Sequence, residues 1–284
     1  MQEQKTVSLV LGSGGARGLA HVGVIRWLED HNYKIVSISG SSIGALIGGF
    51  YAAGKLDIYV DWLRDISTLD MLKLLDFKGS GGLVPGKKLM AKLEKLVGDV
   101  PIEDLEIKFT AVASDINAEK EIWINQGSLL KAIRASISLP LFFTPYEYKG
   151  RLLVDGGVLN PVPIAPSFHD DADITIAVNL SGESVEDTLD DEKEDESSWI
   201  NSLTEYLKKL SLPEPLVSQN SISLVANKSY ETMQGSLARM KLAAYPPDIL
   251  LEVPRNLCKM FDFQKSQELV EYGYKLCERN ELLK

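Results

Sequence analysis

The sequence predicts an α/β fold: a central, mostly parallel sheet sandwiched by helices, with a more helical C-terminal part. Three observations carry this expectation. Short apolar, β-branched runs alternate with stretches of helical periodicity from Thr6 to Val178. Glycine-rich turns stand where the first two strands hand over to helices. The 284 residues, 45% apolar and 25% charged, are enough to bury a full core in one domain.

In chain order, Thr6 to Leu11, Ile35 to Ser39, Phe109 to Ala113 and Ile174 to Val178 have the composition of buried strands. Between them, Gly18 to Glu29, Ser42 to Ala53, Lys87 to Val97 and Leu129 to Ser136 carry helical spacing. Gly79 to Gly86 is a glycine-rich loop leading into a helix; lacking GK[ST], it is not a phosphate loop. Gly182 to Ser198 is acidic and almost devoid of apolar residues, the composition of a mobile surface excursion. Beyond it, Trp199, Leu203, Leu207 and Leu210 recur at helical spacing, followed by Met233, Leu237, Met240 and Ala244. Each stripe is expected to face the core, the alternatives being a substrate-channel cap or a dimer contact. One domain is expected over residues 1–284. Its core covers about 5–181, the acidic excursion about 182–198 and the helical region about 199–284.

The formal net charge of −10 argues against a nucleic-acid binder, which needs clustered Lys and Arg. It also limits membrane contact to a peripheral kind. Neither a secretory leader nor a bilayer-spanning run is visible, so a cytoplasmic location is expected. Cys258 and Cys277, on expected helices, have no partner at metal-ligand spacing and are expected to be buried thiols. No metal or organic cofactor is expected.

The chemistry concentrates in a few turns. Gly40-Ser41-Ser42-Ile43-Gly44 is a G-x-S-x-G between an expected strand and an expected helix. A nucleophile on such a sharp turn needs small neighbours, and the helix N-terminus beyond it favours developing negative charge. Ser42 is the candidate nucleophile; Ser41 falls one residue too early. Ahead of it, Gly12-Ser13-Gly14-Gly15-Ala16-Arg17-Gly18 ends the first strand. Arg17 stands where a dinucleotide turn needs its third glycine, whereas an oxyanion hole needs only inward N–H groups, which Gly14 and Gly15 can supply, with Ala16 and Ile43 beside them; the plain alternative is a glycine turn that caps a helix.

Of the three histidines, His21 and His31 precede Ser42 and His169 lies in a polar connection, so no triad histidine follows the serine. Asp155, at a strand end before Gly156 and Gly157, could instead accept the serine proton directly; the plain alternative is a turn-forming aspartate. Ser128 and Lys131 make an S-x-x-K spacing, better explained by Ser128 as a helix N-cap.

Taken together, GSGGARG, GSSIG, RASISLPLFFTP (Arg134 to Pro145) and DGG (Asp155 to Gly157), in this order, resemble the blocks of patatin-like phospholipases. The resemblance covers roughly residues 6–165. It implies a Ser42–Asp155 dyad in place of a triad, an oxyanion hole in the loop containing Gly14 and Gly15, and hydrolysis of acyl esters of lipids such as phospholipids or lysophospholipids. Two positions depart from the family pattern: Ser13 and Leu141 stand where the family usually has glycine. Ser13 leaves the expected oxyanion glycines in place, while Leu141 could narrow or re-aim an acyl pocket. Arg17 is expected to order the glycine loop by hydrogen bonding, the alternative being contact with a lipid phosphate. An acyltransferase would share the acyl-serine but related folds pair it with histidine; a non-catalytic lipid-binding module would have no need of both Ser42 and Asp155.

Overall fold

The computed structural model describes residues 4–66, 68–74, 84–186 and 222–283. Its elements are β1 (Thr6–Leu11), α1 (Ala20–Asp30), β2 (Lys34–Ser41), α2 (Ile43–Ala52), α3 (Leu56–Asp65), α4 (Thr68–Leu74), α5 (Lys87–Val97), β3 (Lys108–Asp115), β4 (Lys120–Ile124) and α6 (Leu129–Ser136). There follow β5 (Tyr146–Tyr148), β6 (Arg151–Asp155), β7 (Ile174–Gly182), α7 (Ile222–Ala244), β8 (Ile249–Pro254) and α8 (Ser266–Arg279).

The strands form one sheet in the order β5-β6-β3-β2-β1-β7-β8, with β4 also paired to β3. The run β3-β2-β1-β7-β8 is parallel, while β4, β5 and β6 join antiparallel. The sheet is therefore mixed and mostly parallel, as the alternation of strands and helices predicts. On one face, Val7, Leu9 and Leu11 pack with Ile25, Leu28, Ile47 and Phe50 of the flanking helices in the main core. On the other, Val10 and Ala177 are covered by Val162 and Ile164, from the segment ahead of β7, and by Ala238 of α7. Period-two alternation along β1 thus serves two layers.

Register places the site. Ser41 of β2 lies opposite Val112 of β3, and Asp155 of β6 lies opposite the next residue, Ala113. Strand β3 therefore acts as a template that brings Ser42 and Asp155, 113 positions apart, to one sheet end.

One sequence expectation needs correction. The Met233, Leu237, Met240 and Ala244 stripe does not face the core: Met233 is 58% and Met240 68% exposed, whereas Ala238 and Gln234 are buried. The inward line of α7 contains a polar glutamine, so hydropathy alone selects the wrong face. The described residues beyond 199 are mostly helical, and they add one strand, β8, which extends the parallel sheet beside β7. Helix α8 then packs on α1 at backbone distance: a Cβ on Gly273 would fall 2.0 Å from the Ala20 carbonyl oxygen, and one on Gly23 2.0 Å from that of Val270. Cys277 is buried on α8; Cys258, also buried, lies in a bend and not on a helix. The Trp199 to Leu210 stripe, most of the acidic excursion and most of the Gly79 to Gly86 loop lie outside the described residues. Among the described residues no helix is long and apolar enough to cross a membrane.

Candidate active site

The G-x-S-x-G folds as a strand-to-helix elbow. Strand β2 ends at Ser41, helix α2 starts at Ile43, and Ser42 between them has φ 57° and ψ −122°. A non-glycine residue in that conformation is strained and is held only where its surroundings fix it. Here they do. The Ser42 N–H donates to Ser136 Oγ at 2.9 Å, and that hydroxyl donates to the Val112 carbonyl at 2.6 Å. A Cβ on Gly44 would lie 2.1 Å from the Leu11 carbonyl oxygen, so glycine is what lets the elbow close onto β1. Ser41 is not a rival, because its buried hydroxyl donates to the Asn160 carbonyl at 2.6 Å.

The half-buried Ser42 donates from Oγ to Oδ2 of Asp155 at 2.5 Å. The Asp155 side chain is fully buried at the end of β6, and its Oδ1 accepts the Gly157 N–H at 2.8 Å. Burial pushes this carboxyl up to about 7, against the opposing pull of hydrogen bonds from Ser42, Gly157 and Tyr230. Tyr230 of α7 places its hydroxyl 3.5 Å from Asp155 Oδ1. Neither Tyr230 nor Ser136 stands out as a site residue in the sequence. A tyrosine on an amphipathic helix carries no motif; Ser136 lies inside the Arg134 to Pro145 block, which was the available signal.

In the glycine loop, the N–H groups of Gly12, Ser13 and Ala16 are engaged by the carbonyls of Val178, Pro161 and Met260 at 3.0, 2.8 and 2.8 Å. Those of Gly14, Gly15 and Ile43 have no acceptor among the described residues. The expected trio is thereby altered: Ala16 spends its amide on the C-terminal segment. Arg17 is 4% exposed; its guanidinium donates to the Arg255 carbonyl and lies 3.7 Å from Glu231 of α7. Those contacts favour the ordering role over a lipid phosphate.

No histidine is bonded to Ser42 among the described residues. His21 is fully buried under the glycine loop, where its Nε2 donates to the Gly12 carbonyl at 2.9 Å, and burial lowers it to about 4, which keeps it neutral. His31 stacks on Trp27, and His169 is exposed. Ser128 caps α6, accepting the Lys131 N–H at 3.1 Å and donating to Asp99 at 2.6 Å. Leu141 is 65% exposed with φ 66°, a left-handed conformation in which glycine is relaxed, which gives a physical reason for glycine at that point. A cavity of about 370 Å³ lies beside α5 and α6, lined by Lys87, Met90, Leu130, Arg134 and Tyr146 among others, and neither Ser42 nor Asp155 lines it. Among the described residues, no cluster of three or more His, Cys, Asp or Glu is arranged to hold a metal ion.

Fold and site together define an α/β protein that carries a serine on a strand-to-helix elbow, bonded to a buried carboxylate. The family model described as patatin-like phospholipase matches residues 9–167, a span that includes the glycine loop, the elbow and Asp155. "Uncharacterized NTE family protein Rv1063c" of Mycobacterium tuberculosis is 36% identical over 94% of this chain and 89% of its own length. "Patatin-like phospholipase domain-containing protein 6" of Homo sapiens and "Lysophospholipase nte1" of Neurospora crassa are each 28% identical over 95% of this chain, which spans 20% and 18% of their respective lengths. Among solved structures, VipD from Legionella pneumophila aligns with a TM-score of 0.45 and 16% identity over 96% of this chain and 66% of that one. The chain belongs to the patatin-like phospholipase family, and with it to the lipid hydrolases.

Proposed function

We propose that this protein hydrolyses carboxylic acyl esters of lipids, phospholipid or lysophospholipid, with Ser42 as nucleophile and Asp155 as base. The observation that carries this reading is the 2.5 Å hydrogen bond from Ser42 Oγ to a fully buried Asp155. In the first half-reaction Asp155 Oδ2 takes the Ser42 proton as Oγ bonds to the acyl carbon. The N–H groups of Gly14, Gly15 and Ile43, which have no acceptor among the described residues, hold the oxyanion, the last from the N-terminus of α2; Ala16 supports the loop. The carbon–oxygen bond then breaks, Asp155 returns the proton to the departing alcohol, and an acyl-serine remains. Water, deprotonated by the same carboxylate, releases the fatty acid and restores Ser42.

A carboxylate is an ordinary poor base at its usual pKa, and its elevation to about 7 supports the assignment by matching it to neutral pH. The name lysophospholipase on a fungal relative supports a single-chain phospholipid as the first substrate to try. The test is hydrolysis of lysophospholipids and a chain-length series of p-nitrophenyl esters by the wild type, Ser42→Ala and Asp155→Asn, each checked for folding. Loss in both variants is expected; retained activity in Ser42→Ala contradicts the reading.

A further inference from the structure

We propose that Tyr230 and Gln234 of α7 are positioning residues for Asp155, forming a hydrogen-bonded relay that ties the carboxylate to Ser13 of the glycine loop. The inference rests on the reading of Asp155 as base.

Donor bookkeeping fixes the direction of the relay. Gln234 is 3% exposed, and its Nε2 donates both to Ser13 Oγ at 3.1 Å and to the Tyr230 oxygen at 2.8 Å. An amide nitrogen has two hydrogens, so both are used. With its oxygen accepting from Gln234, the Tyr230 hydroxyl turns its own proton to Asp155 Oδ1, 3.5 Å away. That separation is at the outer limit of a hydrogen bond, and catalytic contacts of this kind tighten when substrate binds. Oδ1 also accepts the Gly157 N–H, which leaves Oδ2 as the oxygen that faces Ser42.

Separate features of the fold serve the same arrangement. Tyr230 and Gln234 are four residues apart and so share one face of α7. A Cβ on Gly157 would lie 2.1 Å from Gln234 Nε2 and 2.5 Å from Ser13 Oγ, so the second glycine of DGG makes the room in which the amide and the serine meet. Ser13, the departure from the family's glycine run, is the loop partner of that amide. Glu231, next to Tyr230, lies against Arg17 of the same loop. Helix α7 is therefore fastened to both halves of the site.

The groups that reach the Asp155 carboxyl are Ser42 from the elbow, Gly157 from its own turn and Tyr230 from α7; no charged side chain among the described residues contributes to its titration. A hydrogen bond to the ionised form favours it, so removing the phenol hydroxyl raises the pH at which the base becomes available. Burial and the carboxylate in turn hold the Tyr230 phenol protonated well above its ordinary range, so it stays a donor.

The test is the pH profile of ester hydrolysis for the wild type, Tyr230→Phe, Gln234→Leu and the double variant, with Ser42→Ala alongside. In Tyr230→Phe, which removes a single oxygen, the acid limb of kcat/KM is expected to move up by roughly half to one pH unit. The plateau kcat is expected to fall about tenfold with KM little changed. Gln234→Leu moves both readouts in the same direction, and the double variant is no worse than Tyr230→Phe, as members of one relay are non-additive. The rate of inactivation by a serine-directed phosphonate across the same pH range gives a second readout and follows the same shift. An unmoved acid limb in a folded Tyr230→Phe, with Ser42→Ala inactive, overturns the relay and leaves the dyad standing. Activity in Ser42→Ala overturns both.

Discussion

At the scale of single residues, Asp155 sets two opposite demands. As the proposed base it must be ionised, so kcat/KM is expected to fall as pH drops below about 7, tracking the elevated carboxyl. For stability the sign is reversed. The folded-state value of about 7 lies above the ordinary 3.8, so between these pH values the folded protein holds a proton that the unfolded chain releases. The stabilisation is present below the unfolded value and is lost as pH rises through the folded one. Asp155→Asn should therefore melt higher than the wild type at pH 8, by the equivalent of on the order of a few kcal/mol, with the gap closing toward pH 4. Thermal melts of both proteins from pH 4 to 8 check this; a gap that does not change with pH contradicts it. His21 works in the other direction, since a buried neutral imidazole lowered to about 4 loses stability as pH falls from its ordinary 6.5. Comparing Asp155→Asn with the wild type at each pH cancels that contribution.

At the scale of elements, the first half of the chain is legible because pattern and motif agree there. The expected helices Lys87 to Val97 and Leu129 to Ser136 coincide with α5 and α6, and the expected first strand coincides with β1. Ser42 and Asp155 stand out through the glycines around them, which are steric requirements and so leave a mark in sequence. Helix α7 is different. Its periodicity announces a helix, but Gln234 on the inward line is buried because it bonds to Ser13 and Tyr230, a reason invisible to hydropathy. The two faces of α7 should respond accordingly. Met240→Gln, on the exposed face, should change stability by no more than about 0.5 kcal/mol. Ala238→Leu, which forces three extra carbons against Val10 and Ala177, should cost roughly 1–3 kcal/mol. Urea unfolding of the two variants measures this, and equal responses would contradict the assigned face. Strand β8 is hard to read for a simpler reason: Ile249–Pro254 is a short apolar run, and such runs are ambiguous by period alone.

At the scale of the whole molecule, the site is closed by parts far apart in sequence. Strand β3 aligns the elbow with Asp155, α7 reaches both the carboxylate and the glycine loop, and the Met260 carbonyl holds the Ala16 amide. The C-terminal residues thus belong to the architecture of the site as well as to the sheet. Removal of residues 246–284 would expose the β7 edge and the face of α1 that meets α8, and should leave a chain that neither folds cooperatively nor hydrolyses esters. A truncated protein with a sharp melt and full activity would contradict that view. Treating the folded protein with a serine-directed phosphonate at pH 8 and mapping the adduct by mass spectrometry decides whether Ser42 is the nucleophile and Asp155 its base. One adduct on Ser42, none in Ser42→Ala, and labelling slowed by about a hundredfold or more in Asp155→Asn are expected. An adduct on another serine, or undiminished labelling in Asp155→Asn, would contradict it.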